Sequence, residues 1–251
     1  MRVLRLALFC CLAVAGCGDD DPAVPGGGGG GPVAEGLFPA WSEVAPTRTI
    51  DLLHDPGLSP EQNGARLRDA LRALVPGERL RIGEGTWTST SLLSVDVAGG
   101  PDAPIFVEGR GGSRPVITRP DAAQNLLNLG TPGRTAYVAL RGLELRGGAV
   151  TVALRDADHV WIDDCVVSGA TDAGIQTFGA MQALTVTRCT VADLGAQSGT
   201  GIYVGRSDGT ARVQAARIGF NEIRDVRGVS FARGIAVQPG SVALVYGNDV
   251  L

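Results

Sequence analysis

From Val138 onward the chain alternates apolar and polar residues in short bursts, and no helical spacing intervenes between the bursts. One set of segments reads AVTV from Ala149, GIQT from Gly174, GIYV from Gly201 and GIAV from Gly234. Aligning Val150, Ile175, Ile202 and Ile235 gives intervals of 25, 27 and 33 residues. A second set reads VALRGLEL from Val138, VWIDDCVV from Val160, LTVTRCTV from Leu184, ARIGFNEI from Ala216 and ALVYGNDV from Ala243, at intervals of 22, 24, 32 and 27 residues. The two sets advance together, one strand of each per repeat. Such a pattern predicts a coil of stacked parallel strands, in which each turn buries its inward residues only against its neighbours. A sandwich would need tight hairpin turns such as Asn-Gly between neighbouring strands, and none separates these segments.

The sixth position of the second set holds Leu143, Cys165, Cys189, Asn221 and Asn248. One coil apart, Asn221 and Asn248 are expected to form an amide ladder along the stack, and Cys165 and Cys189 a column of core thiols rather than a disulfide. Upstream, Ser59-Pro60-Glu61-Gln62 reads as a helix start, with Ser59 as N-cap and Gln62 completing a capping box. Leu67, Leu71 and Leu74 follow on one face, so a short amphipathic helix is expected to cover the first coil. Residues 37–79 are read as a transitional segment with this capping helix, and residues 80–251 as an all-β parallel β-helix.

Composition adds the surroundings. The 37 glycines and 5% aromatic residues suit many short strands and turns, and every basic residue is arginine, which excludes chemistry built on a lysine base. Arg2 and Arg5 precede an apolar run from Leu6 to Gly16, too short to span a bilayer, that ends in Val14-Ala15-Gly16-Cys17. This resembles the bacterial lipobox, which implies that residues 1–16 are a signal peptide and that Cys17 is lipidated. Residues 17–36, with a run of six glycines, read as a flexible tether from that anchor, which places the folded part at the cell envelope, facing the periplasm or the exterior. Without the leader, 20 basic residues face 26 acidic ones, so nucleic acid is excluded as a partner. The stop at Leu251, on the end of a strand with no capping segment after it, leads to the expectation that further coils follow.

The repeats, together with PGERLRIGEGTWT from Pro76, resemble the right-handed β-helix superfamily of pectate lyase-like proteins. VWIDDC from Val160 is similar to a WIDH-containing segment of pectate lyases, with Asp164 standing where that segment has histidine. The resemblance implies a substrate groove along the outer face of one sheet. If the first set forms that sheet, Thr151, Gln176, Tyr203 and Ala236 face outward, with Ala153, Phe178 and Gln238 behind them. Tyr203, Gln176 and Phe178 are then candidate polysaccharide-binding residues, Arg206 and Arg233 candidate bases or carboxylate clamps, and Asp172 with Asp156 or Asp158 candidate calcium ligands. His159 and His54 have no evident partner and are read as turn residues. The implied function is an envelope-anchored protein that binds an extracellular, acidic polysaccharide and cleaves it by β-elimination if these groups converge. The alternative is a non-catalytic surface or adhesion module using the solenoid as a rigid binding face.

Overall fold

The computed structural model describes residues 36, 38–195 and 198–251. Among these residues the strands stack into three parallel sheets, visited in turn once per coil, which makes the chain a right-handed parallel β-helix. Sheet A has eight strands, from Arg48–Leu52 to Ala243–Tyr246; sheet B has seven, from Gly85–Thr88 to Asp249–Val250; sheet C has six, from Leu93–Val95 to Phe231–Val237. The leader, Cys17 and most of the glycine tether lie outside the described residues.

The second sequence set is sheet A and the turn into sheet B. Val138, Val160, Leu184, Ala216 and Ala243 stand opposite one another, in the register expected from the repeat. Asn221 accepts from the Cys189 amide at 2.9 Å and donates to Val186 O at 3.0 Å and to Asn248 Oδ1 at 2.9 Å, so the amide ladder forms. Cys165 and Cys189 are buried free thiols in the same column. Burial pushes the Cys189 thiol well above its usual range, and the hydrogen bond with Cys165 adds to this, so the column is packing and not reactive chemistry.

The first set is sheet C, with one correction. Val152, not Val150, stands opposite Ile175, and the true interval there is 23 residues. Valines at 150 and 152 share a phase, so apolar periodicity cannot distinguish a slip of two residues. Ala153, not Thr151, stands opposite Gln176. Thr151 is buried, level with the Gly174–Gly201–Gly234 column, where the strand departs from alternation and Val150 packs with Ala153 and Ala173; its hydroxyl donates to Gly147 O at 3.1 Å. That glycine column explains the repeated Gly-Ile: a Cβ on Gly201 would meet Gly234 O at 2.4 Å, and one on Gly174 would meet Gly201 O at 2.8 Å.

At the N-terminal end, the helix α1 (Pro60–Arg72) carries the expected capping box. Its Leu67 and Leu71 are buried as it packs on Gly85–Thr88 and Leu93–Val95, the first strands of sheets B and C. Gly64 permits this close seating, because a Cβ there would meet Thr88 O at 2.0 Å. Sheet A starts earlier than expected, with Arg48–Leu52 pairing Glu78–Ile82, so the solenoid begins ahead of its capping helix rather than at residue 80. Further upstream, Phe38 and the 3-10 turn Ala40–Glu43 lie over the outside of sheet A. There Trp41 meets Phe106, Tyr137 and Trp161 with centroids 6.4, 6.0 and 6.2 Å apart. This strap is why the outward-facing Phe106 and Trp161 are buried.

Candidate functional site

On the outside of sheet C, register places Ala153, Gln176, Tyr203 and Ala236 in one column. Gln176 and Tyr203 sit side by side on adjacent coils, about 4.8 Å apart. Phe178 leaves its strand just beyond Gln176, and Arg206 with Ser207 rises from the turn after Ser198–Val204. These five residues line an open cavity of about 190 Å³. The surrounding backbone is pinned. Gly205 donates to Thr177 Oγ1 at 2.6 Å, and the Arg206 amide donates to Ala211 O at 3.0 Å. Phe178 packs against Val150, Ala153 and Ala173, with the Arg155 guanidinium 4.4 Å above its ring. Arg206 reaches Asp208 at 3.1 Å, and Asp208 Oδ1 also accepts from the Thr210 hydroxyl at 2.6 Å and its amide at 3.0 Å.

These bonds hold the Asp208 carboxyl down at about 2; the Thr210 hydroxyl contributes most, then its amide, with Arg206 adding to both. A depressed folded value means that ordering by this carboxylate is present above its ordinary range and is lost as pH falls through about 2. The 206–210 turn is therefore expected to stay ordered at pH 4 and to loosen only near pH 2. The Thr210 amide shift in a pH titration checks this; a midpoint near 4 would contradict it.

The other predicted residues do not converge on this cavity. Arg233 stands opposite Thr200, four positions or about 13 Å before the end of the strand at Val204, whereas Arg206 lies in the turn beyond that end. Its guanidinium lies over the Phe231 ring at 4.3 Å. Asp172 precedes Ala173, the partner of Val150, so it is level with Ala149. Asp156 lies beyond Leu154, at the opposite edge of sheet C and more than about 16 Å away along the strand. The pair therefore cannot share a calcium ion. Among the described residues, no group of three or more His, Cys, Asp or Glu side chains is placed to hold a metal. Asp164, at the histidine position of the similar segment, is an exposed turn residue at φ 51° paired with Arg114 at 2.5 Å.

Sequence reading missed the outer face of sheet A. Between the strap and the sheet lies a cavity of about 520 Å³, lined among others by Trp41, Asp102, Tyr137, His159, Thr185 and Arg217. His159 is no turn residue: it belongs to Ala157–Asp163 and stacks on Tyr137 with centroids 4.3 Å apart and an interplanar angle of 11°. Its Nδ1 is 3.2 Å from Asp158 Oδ2, yet is buried and out of line for a hydrogen bond. The available signal was the interval: Tyr137 and His159 each precede a first residue of the second set, 22 residues apart. Beside this cavity runs a ladder of charges that mostly satisfy one another, from Asp51–Arg81 at 2.8 Å through Arg79–Glu108 at 3.2 Å to Arg141 and Arg188 around Asp163. The Arg81 hydrogen bonds hold the Asp51 carboxyl below its usual range.

No family model and no curated protein matches the sequence. Solved structures do share the fold. An alginate lyase from Paenibacillus sp. str. FPU-7 superposes with a TM-score of 0.57 at 17% identity, covering 80% of this chain and 76% of its own. ORF18 of Geobacillus virus E2 gives a TM-score of 0.57 at 12% identity, over 80% of this chain and 40% of its own. The overlap with pectate lyase Pel9A, at a TM-score of 0.37 and 13% identity, is too slight to weigh. At these identities the likeness is one of fold, a parallel β-helix, and chemistry has to be read from the residues.

Read that way, the sheet C cavity offers two aromatic rings, an amide, a hydroxyl and a guanidinium, with its nearest carboxylate, Asp208, already engaged by Arg206. This donor-rich, ring-bearing surface suits a ligand with flat faces, many hydroxyls and negative charge.

Proposed function

We propose that this protein is a polysaccharide-binding β-helix that grips acidic sugar units on the outside of sheet C. In this reading a lipid on Cys17 and the glycine-rich tether hold it at the cell envelope, facing the periplasm or the exterior. The observation that carries the proposal is that Gln176, Phe178, Tyr203 and Arg206, contributed by adjacent coils, line one open cavity. A stack of coils also presents a repeating face to a repeating polymer, and the fold is shared with a protein described as an alginate lyase.

Binding is favoured over cleavage because the groups suggested for elimination are dispersed: Arg233 is remote from Arg206, and the two candidate calcium ligands lie at opposite edges. Cleavage remains a defined second reading because Tyr203 and Arg206 share the cavity, where a phenolate base and a carboxylate clamp would both be needed.

Calorimetry of the full chain against alginate, pectate and a neutral glucan tests the proposal. The acidic polymers are expected to bind, and Tyr203→Ala and Phe178→Ala each to weaken binding by about 2- to 12-fold, the loss of one ring contact. Arg206→Ala should weaken only the acidic polymers, and added salt should act in the same direction. Failure of every polymer to bind would sink the reading. Release of unsaturated products that Tyr203→Phe abolishes would replace it with the elimination reading.

A further inference from the structure

The cavity beneath the strap is a second site, on a different face of the solenoid from the one just proposed. We infer that it binds a single uncharged saccharide unit or chain end, held against the wall that Trp41 and Tyr137 form in edge contact and fixed by His159, Thr185, Asp102 and Arg217. Its volume, about 520 Å³, is in the ordinary range for small-ligand sites. Its lining combines aromatic and aliphatic walls with a hydroxyl, an imidazole, a carboxylate and a guanidinium. Charge of both signs gives no advantage to an anion such as phosphate, and a purely apolar ligand would leave the polar groups unmet. A sugar ring has both an apolar face for the rings and hydroxyls that can donate to Asp102 and accept from Arg217.

Two further observations single out this wall. Left-handed backbone recurs in this solenoid as structural columns: Gly142, Asp164, Arg188, Phe220 and Gly247 in the turn from sheet A to sheet B, and Gly147, Gly169, Asp193 and Asp225 at the C-terminal end of the sheet B strands. Tyr137 at φ 52° and His159 at φ 47° form a third column that does not continue: the next residue in register, Ala183, is not left-handed. For an aromatic side chain this backbone is costly, and here it is confined to two of the coils that line the cavity. The second is the buried His159 Nδ1, 3.2 Å from Asp158 Oδ2 and misaligned with it. Asp158 Oδ1 is fixed by the amides of His159 and Gln182, at 2.9 and 2.7 Å. A small rotation of the ring would let Nδ1–H donate to Asp158 and leave Nε2 as an acceptor for a ligand hydroxyl.

Tryptophan fluorescence tests the inference with the full chain. Trp41 lines the cavity, Trp161 packs edge-on against Trp41, Trp87 is buried in the main core, and the sheet C cavity contains no tryptophan. Titration with cellobiose, maltose and digalacturonate is expected to give a saturable emission change with a neutral disaccharide, absent in Trp41→Phe. His159→Asn should weaken it by about tenfold, the loss of one hydrogen bond and one ring contact. Asparagine tolerates left-handed backbone, so this variant is expected to keep the wild-type circular dichroism and melting transition even if Tyr137→Ala does not. No saturable change with any of the three sugars, a response to digalacturonate alone, or a response that His159→Asn leaves intact would each overturn the inference. Binding at sheet C, measured by calorimetry, stands or falls separately.

Discussion

Arg188→Ala is expected to destabilise the fold by about 3–5 kcal/mol, the cost of leaving a buried carboxylate without its charge partner. Asp163 alternates outward from sheet A but is fully buried. Arg188 grips both of its oxygens, with Nε at 2.9 Å from Oδ1. The Thr187 hydroxyl donates to the same Oδ1 at 2.8 Å and itself accepts from Trp161 Nε1 at 3.1 Å. After truncation only Thr187 and Arg141, at 3.6 Å from Oδ2, remain, which puts the loss toward the lower end of the range. Arg188→Lys keeps the charge but not the fork and should lose less. Arg188 also lies over the Phe38 ring at 5.0 Å, so the alanine variant should loosen the strap as well. Urea unfolding of the two single variants and of Asp163→Asn/Arg188→Ala checks the assignment, because neutralising Asp163 should recover part of the loss. A drop under 1 kcal/mol in Arg188→Ala would mean that the carboxylate finds other solvation.

How much of this was legible beforehand depends on what marks each position. In sheet A, the sixth-position cysteines and asparagines are distinctive residues at a fixed offset from apolar neighbours, so register could be read without error. In sheet C, Val150 and Val152 are interchangeable in phase, so a register two residues off sets Thr151 opposite Gln176, where Ala153 stands. Thr151 is buried because the strand departs from alternation at that level, Val150 packing with Ala153 and Ala173 rather than with Val152. Arg48–Leu52 is a single strand of mostly exposed residues paired across a capping helix, and nothing periodic announces it. Gln176, Phe178, Tyr203 and Arg206 were found together because a strand and the turn that follows it are contiguous in sequence. Arg233 and the pair Asp172 and Asp156 share only the sheet, and their levels at opposite ends of its strands keep them apart. The sheet A cavity was hidden for another reason. Tyr137 and His159 could have been aligned, but Trp41 reaches them from a segment nearly a hundred residues upstream that belongs to no repeat.

Asn221→Ala is expected to cost about 2–4 kcal/mol, because the substitution strands buried backbone groups rather than only deleting a side chain. The amide spans three coils. Its oxygen serves the Cys189 N–H, and its nitrogen serves Val186 O on the preceding coil and Asn248 Oδ1 on the next. Asn221 is 2% exposed, so water cannot easily take over the Cys189 N–H or Val186 O. Asn248 donates from Nδ2 to Ile218 O at 2.9 Å, and its Oδ1 accepts from the Asn221 backbone N–H at 3.0 Å and from Asn221 Nδ2. It is only partly buried and water can replace it, so Asn248→Ala should cost less, about 1–2 kcal/mol. Asn221→Asp restores the acceptor for Cys189 but brings a carboxylate beside Val186 O and Asn248 Oδ1, and should be no better than alanine at neutral pH. Paired denaturation curves for the three variants separate ladder from packing. A loss in Asn248→Ala as large as in Asn221→Ala would contradict the expectation that the bonds of this ladder weaken with access to water.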